Sequence, residues 1–145
     1  MQVPNSFVAG TTARSEEVNE NFDAVEAAIL PTFGFTVPGS LFTGTSVAPA
    51  IIVNNSLTID TAYAYVKTAP TGASIIVDIN LNGTSIWSST PANRLTIPAG
   101  AADQAYTQSS FDTTSLSEGD ILTLDIDQVG STVRGSDITV ELRCS

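Results

Sequence analysis

DILTLDIDQV, residues 120–129, decides the fold. Leu122, Leu124 and Ile126 recur at every second position, with Thr123, Asp125 and Asp127 between them. A period of two sends alternate side chains to opposite faces, so this is a strand with one face in a core and one toward water. Gly119-Asp120 opens it, and the stretch from Gly130 to Gly135 connects it to a second run of the same kind. That run, SDITVELRC (136–144), puts Ile138, Val140 and Leu142 inward and Thr139, Glu141 and Arg143 outward.

The same grammar extends upstream. ASIIVDINL (73–81) alternates, with Ile75, Val77 and Ile79 on one side and Ile76, Asp78 and Asn80 on the other. Asn82-Gly83 follows, and both residues tolerate the positive φ of a type I′ hairpin turn. The chain returns through TSIW (84–87) and NRLTI (93–97). TAYAYVKT (61–68) sets Tyr63, Tyr65 and Lys67 against Ala62, Ala64 and Val66. FGFTV, from Phe33, reads as a short strand before a Pro38-Gly39 turn. SVAPAIIV (46–53) is extended, and Pro49 inside it argues for an edge strand or a bulge. Residues 101–117 are polar, with one strand expected near Tyr106. About eight short strands predict an antiparallel sandwich, most simply a jelly roll. The inner face is expected to include Ile79, Leu95, Leu122, Leu124, Ile126, Ile138, Val140 and Leu142.

The period changes at the other end of the chain. In SEEVNENFDAVEAAIL (15–30), Val18, Phe22, Val25 and Ile29 are spaced 4, 3 and 4, a heptad stripe on a helix. Glu16, Glu20, Asp23 and Ala27 fall on the opposite face. Thr12 or Ser15 can cap the helix, Glu16 and Glu17 suit its first turn, and Pro31 ends it. A helix of about 15 residues is marginal alone in water and needs a partner surface. The stripe predicts a homotrimer around Val18, Phe22, Val25 and Ile29, with packing on the chain's own β-domain as the alternative. Residues 1–12 are irregular, and Phe7 and Val8 are apolar anchors in them. They either fold back on their own chain or grip a neighbour. The expected organisation is an arm and helix over 1–31 and a jelly-roll-like sandwich over 32–145.

Five basic and fifteen acidic residues give a formal charge of -10 in 145 residues. Such a surface repels nucleic acid and anionic membranes, and neither is an expected partner. No stretch approaches transmembrane length, and the first fifteen residues lack the basic start and apolar run of a secretion signal. The chain has no His, which removes the commonest general base and metal-ligating imidazole. Ser and Thr are numerous, but a nucleophile needs a base, and the sequence offers Lys67 or an acid. No enzymatic activity and no cofactor are expected. Asp78, Asp125 and Asp127 are weak candidates for Ca²⁺, on adjacent strands where oxygens converge. Their simpler role is to guard a solvent-facing sheet. Cys144, the single cysteine, is a buried filler, an interchain bridge or a bystander near the terminus. Tyr63, Tyr65 and Tyr106 are candidates for stacking on sugars. Trp87 reads first as core or rim packing.

Residues 7–29, FVAGTTARSEEVNENFDAVEAAI, resemble the start of many tailed-phage structural proteins, whose aromatic-Gly-Thr stretch leads into a helix built on Val-Asn-x-Asn-Phe. Val18-Asn19-Glu20-Asn21-Phe22 carries that pattern. The β region is similar to small phage modules in its Pro-Thr-Gly at 70–72, Asp-Ile-Asn at 78–80, Asn-Gly at 82–83, Trp87 and Arg94-Leu95-Thr96-Ile97. Leu116-Ser117-Glu118-Gly119-Asp120 and Ile126-Asp127-Gln128-Val129-Gly130-Ser131 belong to the same likeness. The resemblance implies a structural protein on the virion surface. It implies a capsid decoration, cement or head-knob protein that contacts the major capsid protein or another virion protein. The alternative is a receptor-binding module of a head or tail fibre that recognises a host surface glycan. The short chain, without a fibre shaft, favours the first.

Overall fold

The computed structural model describes residues 2–28, 30–101 and 105–145, with 26–28 described by their backbone alone. Among the described residues, the helix α1 (Ser15–Ala28) precedes ten strands. These are β1 (Thr32–Ser40), β2 (Ile51–Ile52), β3 (Leu57–Thr68), β4 (Ile75–Leu81), β5 (Thr84–Ser85), β6 (Leu95–Ile97), β7 (Ala105–Gln108), β8 (Ser115–Leu116), β9 (Ile121–Gln128) and β10 (Ser136–Cys144). The protein is mainly β, as the alternating runs predict.

Two antiparallel sheets enclose one core. The first runs β1-β10-β3-β7, with β8 also on β3, and the second runs β2-β9-β4-β5, with β6 also on β4. Every residue expected on the inner face is buried. β3 and β10 pair Ala62, Ala64 and Val66 with Leu142, Val140 and Ile138. Across the core, β4 and β9 pair Val77, Ile79 and Leu81 with Ile126, Leu124 and Leu122. The small alanines of β3 share the core with large buried side chains, Trp87, Phe35 and Leu41 among them. Trp87 reaches 0 % exposure because its indole N–H finds an acceptor, the Ser110 carbonyl at 2.7 Å. It also packs against Phe111 at 5.5 Å between ring centroids. Cys144 is the buried filler among its three readings.

Asn82 and Gly83 have φ of 50° and 82°, the left-handed pair that the β4–β5 hairpin requires. Asn82 is tied further, since its Nδ2 donates to Asp120 and its Oδ1 accepts from the Ile121 N–H. The β9–β10 connection turns at Gly135, where φ is 92° and an added Cβ would meet Ile75 Cδ1 at 2.6 Å.

One local expectation is corrected. Pro38-Gly39 does not end β1. It forms a register shift inside it, between Val37 and Ser40, and the Gly39 N–H donates to Asp137 Oδ1 at 2.7 Å. A long-range carboxylate thus converts a local turn signal into a bulge. SVAPAIIV pairs regularly only at Ile51 and Ile52, with Leu122 and Ile121. Upstream, Val47 donates to the Leu124 carbonyl and Gly44 bridges Ile126, so Ala48-Pro49-Ala50 bulges from an interrupted edge. Edge and bulge are both what Pro49 implied.

Candidate functional site

Three surfaces collect the residues singled out from the sequence. The first is built by the arm and α1. The helix starts differently from the expectation of a Thr12 or Ser15 cap. The Arg14 carbonyl accepts the first helical bond from Val18, and the Glu17 carboxylate reaches back to the Arg14 N–H at 3.3 Å. This is the reciprocal half of a capping box, with the acid three residues into the helix.

The arm folds back on its own helix. The Asn5 N–H donates to Asn21 Oδ1 at 2.9 Å, and Asn21 Nδ2 donates to the Asn5 carbonyl at 2.8 Å. Asn5 Nδ2 adds bonds to the Glu20 carboxylate at 2.6 Å and to the Glu17 carbonyl at 3.3 Å. An asparagine amide has an acceptor and donors side by side, so Asn21 pairs with backbone as a second strand would. Between arm and helix lies a groove of about 260 Å³ lined by Val3, Phe7, Val18, Asn21, Phe22 and Val25. Val18 and Val25 are half-buried, while Phe22 is 69 % exposed. Ile29, the fourth stripe residue, lies outside the described residues. Phe7 faces the groove, whereas Val8 is 67 % exposed above a turn in which its carbonyl accepts from Thr11. The Asn5–Asn21 clasp was not singled out from the sequence. Asn21 sits inside the VNENF motif, but its partner is sixteen residues away and no periodicity links them.

The second surface is the outer face of β3 and β10. Tyr63 and Tyr65 stand outward there, as the alternation of TAYAYVKT requires. The Arg143 guanidinium lies over the Tyr63 ring at 4.2 Å, and Arg143 Nε donates to Glu141 at 2.7 Å. Glu141 is directly opposite Tyr63 across the strands. Tyr106 does not join them. It pairs with Ala64, a core-facing residue, and directly opposed residues point to the same side. The three tyrosines therefore split between the two faces of the sheet, with Tyr106 at the rim of the edge strand β7.

The third surface holds the acids. Asp78 and Asp125 are opposed in the β4–β9 ladder, and Asp127 is the extra residue of a bulge where Val77 pairs with Ile126 and Ile76 with Gln128. Each carboxylate already has protein partners. Ser85 Oγ donates to Asp78 at 2.7 Å. Asp125 accepts from the Ser46 N–H and from Asn80 Nδ2. Asp127 pairs with Arg94. Asp78 is buried, and that burial pushes its carboxyl above the ordinary carboxylate range, with Asp127 and Asp125 adding to the effect against Ser85 and Arg94. No group of three metal-ligating side chains is found among the described residues. The three form a hydrogen-bonded polar row, in which Asp125 and Asp127 reach solvent while Asp78, expected to face solvent, is buried under its neighbours.

Phe42 is 60 % exposed in the β1–β2 connection, with the Arg134 guanidinium 4.2 Å over its ring. No alternation marks either residue. Cys144 takes no part in any of these surfaces, and burial pushes its thiol up to about 11.

Comparison with protein-family models, curated proteins and solved structures finds no match to this chain.

Proposed function

We propose that this chain is a bacteriophage structural protein, a capsid decoration or head-knob protein. It forms a homotrimer through Val18, Phe22 and Val25, docks through its N-terminal region and projects a β-domain from the virion surface. The observation that carries this reading is the distribution of exposed apolar surface. Of eleven large exposed apolar side chains among the described residues, five (Val3, Phe7, Val8, Phe22 and Leu30) fall in the first thirty positions. Apolar surface left outside in such density marks a place where another surface binds. The sandwich, by contrast, closes over a core of its own. The resemblance of residues 7–29 and 70–131 to phage structural proteins supports the setting. The role is structural and binding rather than catalytic, and attachment would stabilise a shell by mass action, through affinity for the assembled lattice alone.

Within this reading the sandwich is a jelly roll. Its support is the strand order: β1, β3, β7, β8 and β10 lie in one sheet, and β2, β4, β5, β6 and β9 lie in the other. The chain thus crosses between sheets at most connections, as nested Greek keys do.

One observation favours receptor binding as a second reading. Tyr63 and Tyr65 stand beside Arg143 and Glu141 on an outward sheet face, and this pairs aromatic surface with charged hydrogen-bonding groups suited to a glycan.

Val8→Asp in the full chain tests the docking. Val8 lies outside the groove, so the oligomer should persist while occupancy on particles lacking the native protein drops roughly tenfold or more. Unchanged occupancy would contradict docking through the arm.

A further inference from the structure

We propose that Asn82-Gly83 is a site of spontaneous deamidation, and that the Asp120 carboxylate is the gate that keeps it slow in the folded chain.

The chemistry follows from the two residues of the β4–β5 turn. Loss of a proton to solvent hydroxide leaves the Gly83 backbone nitrogen able to attack Asn82 Cγ. The new C–N bond closes a succinimide ring, and Nδ2 takes up protons from water and leaves as ammonia. Water then opens the ring at either carbonyl and gives aspartate or isoaspartate at position 82, with no change of oxidation state. Glycine is the most permissive follower for this step, since no side chain crowds its nitrogen and its backbone angles are the least restricted. Asn82 and Gly83 are exposed, and a Cβ added at Gly83 would meet nothing within 4 Å, so water and hydroxide reach this peptide.

Three bonds hold Asn82 to the start of β9. Its N–H donates to the Ile121 carbonyl at 2.8 Å, its Oδ1 accepts from the Ile121 N–H at 3.0 Å, and its Nδ2 donates to Asp120 Oδ1 at 2.8 Å. The two side-chain bonds act on the chemistry in opposite directions. A donor at Oδ1 stabilises that oxygen as it turns negative during attack. A carboxylate at Nδ2 does the reverse: its charge opposes the anionic intermediate, and it holds the nitrogen that must leave. The Ser117 N–H donates to the other Asp120 oxygen at 2.8 Å, which keeps the carboxylate in place and charged. Together the side-chain bonds also restrict the rotation through which Cγ meets the Gly83 nitrogen. Conversion would set a second carboxylate against Asp120 where a donor had been, so the hairpin would lose this tie to β9 and the gate would not close again.

The test is the rate of deamidation at position 82 in mildly alkaline buffer, followed by mass-spectrometric peptide mapping with isoaspartate detection. It compares the native full chain, the same chain unfolded in urea, and two folded variants, with the near-ultraviolet signal of buried Trp87 reporting the fold. The unfolded chain should convert at Asn82 at least roughly tenfold faster than the native protein. Asp120→Ala leaves the Ile121 bonds and should be faster than native by roughly tenfold, the worth of one charge-assisted hydrogen bond. Asp120→Asn keeps the shape and an acceptor oxygen but loses the charge, and its rate should fall between native and Asp120→Ala. A native rate equal to that of the unfolded chain would overturn the protection. Native-like slowness in folded Asp120→Ala, or in Asp120→Asn where the alanine variant does not fold, would overturn Asp120 as the gate.

Discussion

Single residues in this protein show how much depends on where a carboxylate sits. Asp120 and Asp137 accept hydrogen bonds that favour the charged form, from Asn82 and the Ser117 N–H in one case and from the Gly39 N–H in the other. Both are held below the ordinary carboxylate range. The stability they add is present above that range and is lost as pH falls through their lowered pKa values. Asp78 has the opposite sign. Burial, aided by the charges of Asp127 and Asp125, raises it. Its folded pKa lies above the unfolded one, so ionisation at neutral pH costs stability that returns as pH falls. Asp78→Asn keeps an acceptor for Ser85 and removes the buried charge. It should raise the melting temperature by a few degrees at pH 7, with the gain shrinking as pH falls through the raised pKa of Asp78 and gone once pH is below the unfolded carboxylate value of about 3.9. Thermal melts of both proteins from pH 7 to pH 3 check this, and a gain that does not vary with pH would contradict it. The outward direction of Asp78 was legible from alternation alone. Its burial was not, because that is set by non-local packing, and its partners Ser85 and Arg94 come from other parts of the chain.

At the scale of elements, β9 and β10 were legible almost entirely. The period of two is a local property, and a strand that shows it over eight residues has one face to bury. The central place of β9 gives a direct prediction. Leu124→Asp puts an unpaired carboxylate into the closed core and should prevent folding, whereas Leu124→Ala should fold with a loss of about 2–5 kcal/mol. Urea unfolding followed by Trp87 fluorescence distinguishes them, and a soluble, cooperatively unfolding Leu124→Asp protein would contradict the placement. The less legible elements share a physical reason. Pro38-Gly39 reads locally as a turn, and only Asp137, ninety-eight residues away, makes it a bulge. Residues 1–12 carry no period, so their direction waits on Asn21. Tyr106 reads as exposed and aromatic, but the face it occupies is set by register with Ala64. Composition and periodicity speak for a residue's own element, and non-local pairing decides the rest.

The whole molecule divides into two kinds of surface. The sandwich encloses Trp87 and the paired rows of β4, β9, β3 and β10, and presents a mostly polar exterior. The arm and α1 hold a large share of the exposed apolar surface and a groove lined by Val3, Phe7, Val18, Phe22 and Val25. That division is what a projecting module with a separate means of assembly and attachment needs. The same β-domain could be mounted on a shell or at the tip of a fibre, and the position on the particle separates the two. Imaging intact virions with the protein labelled through its β-domain is the most direct measurement. The proposed role predicts many copies over the shell, grouped in threes with the β-domain outermost. A few copies confined to the tail tip would contradict decoration and favour receptor binding by the Tyr63–Tyr65 face.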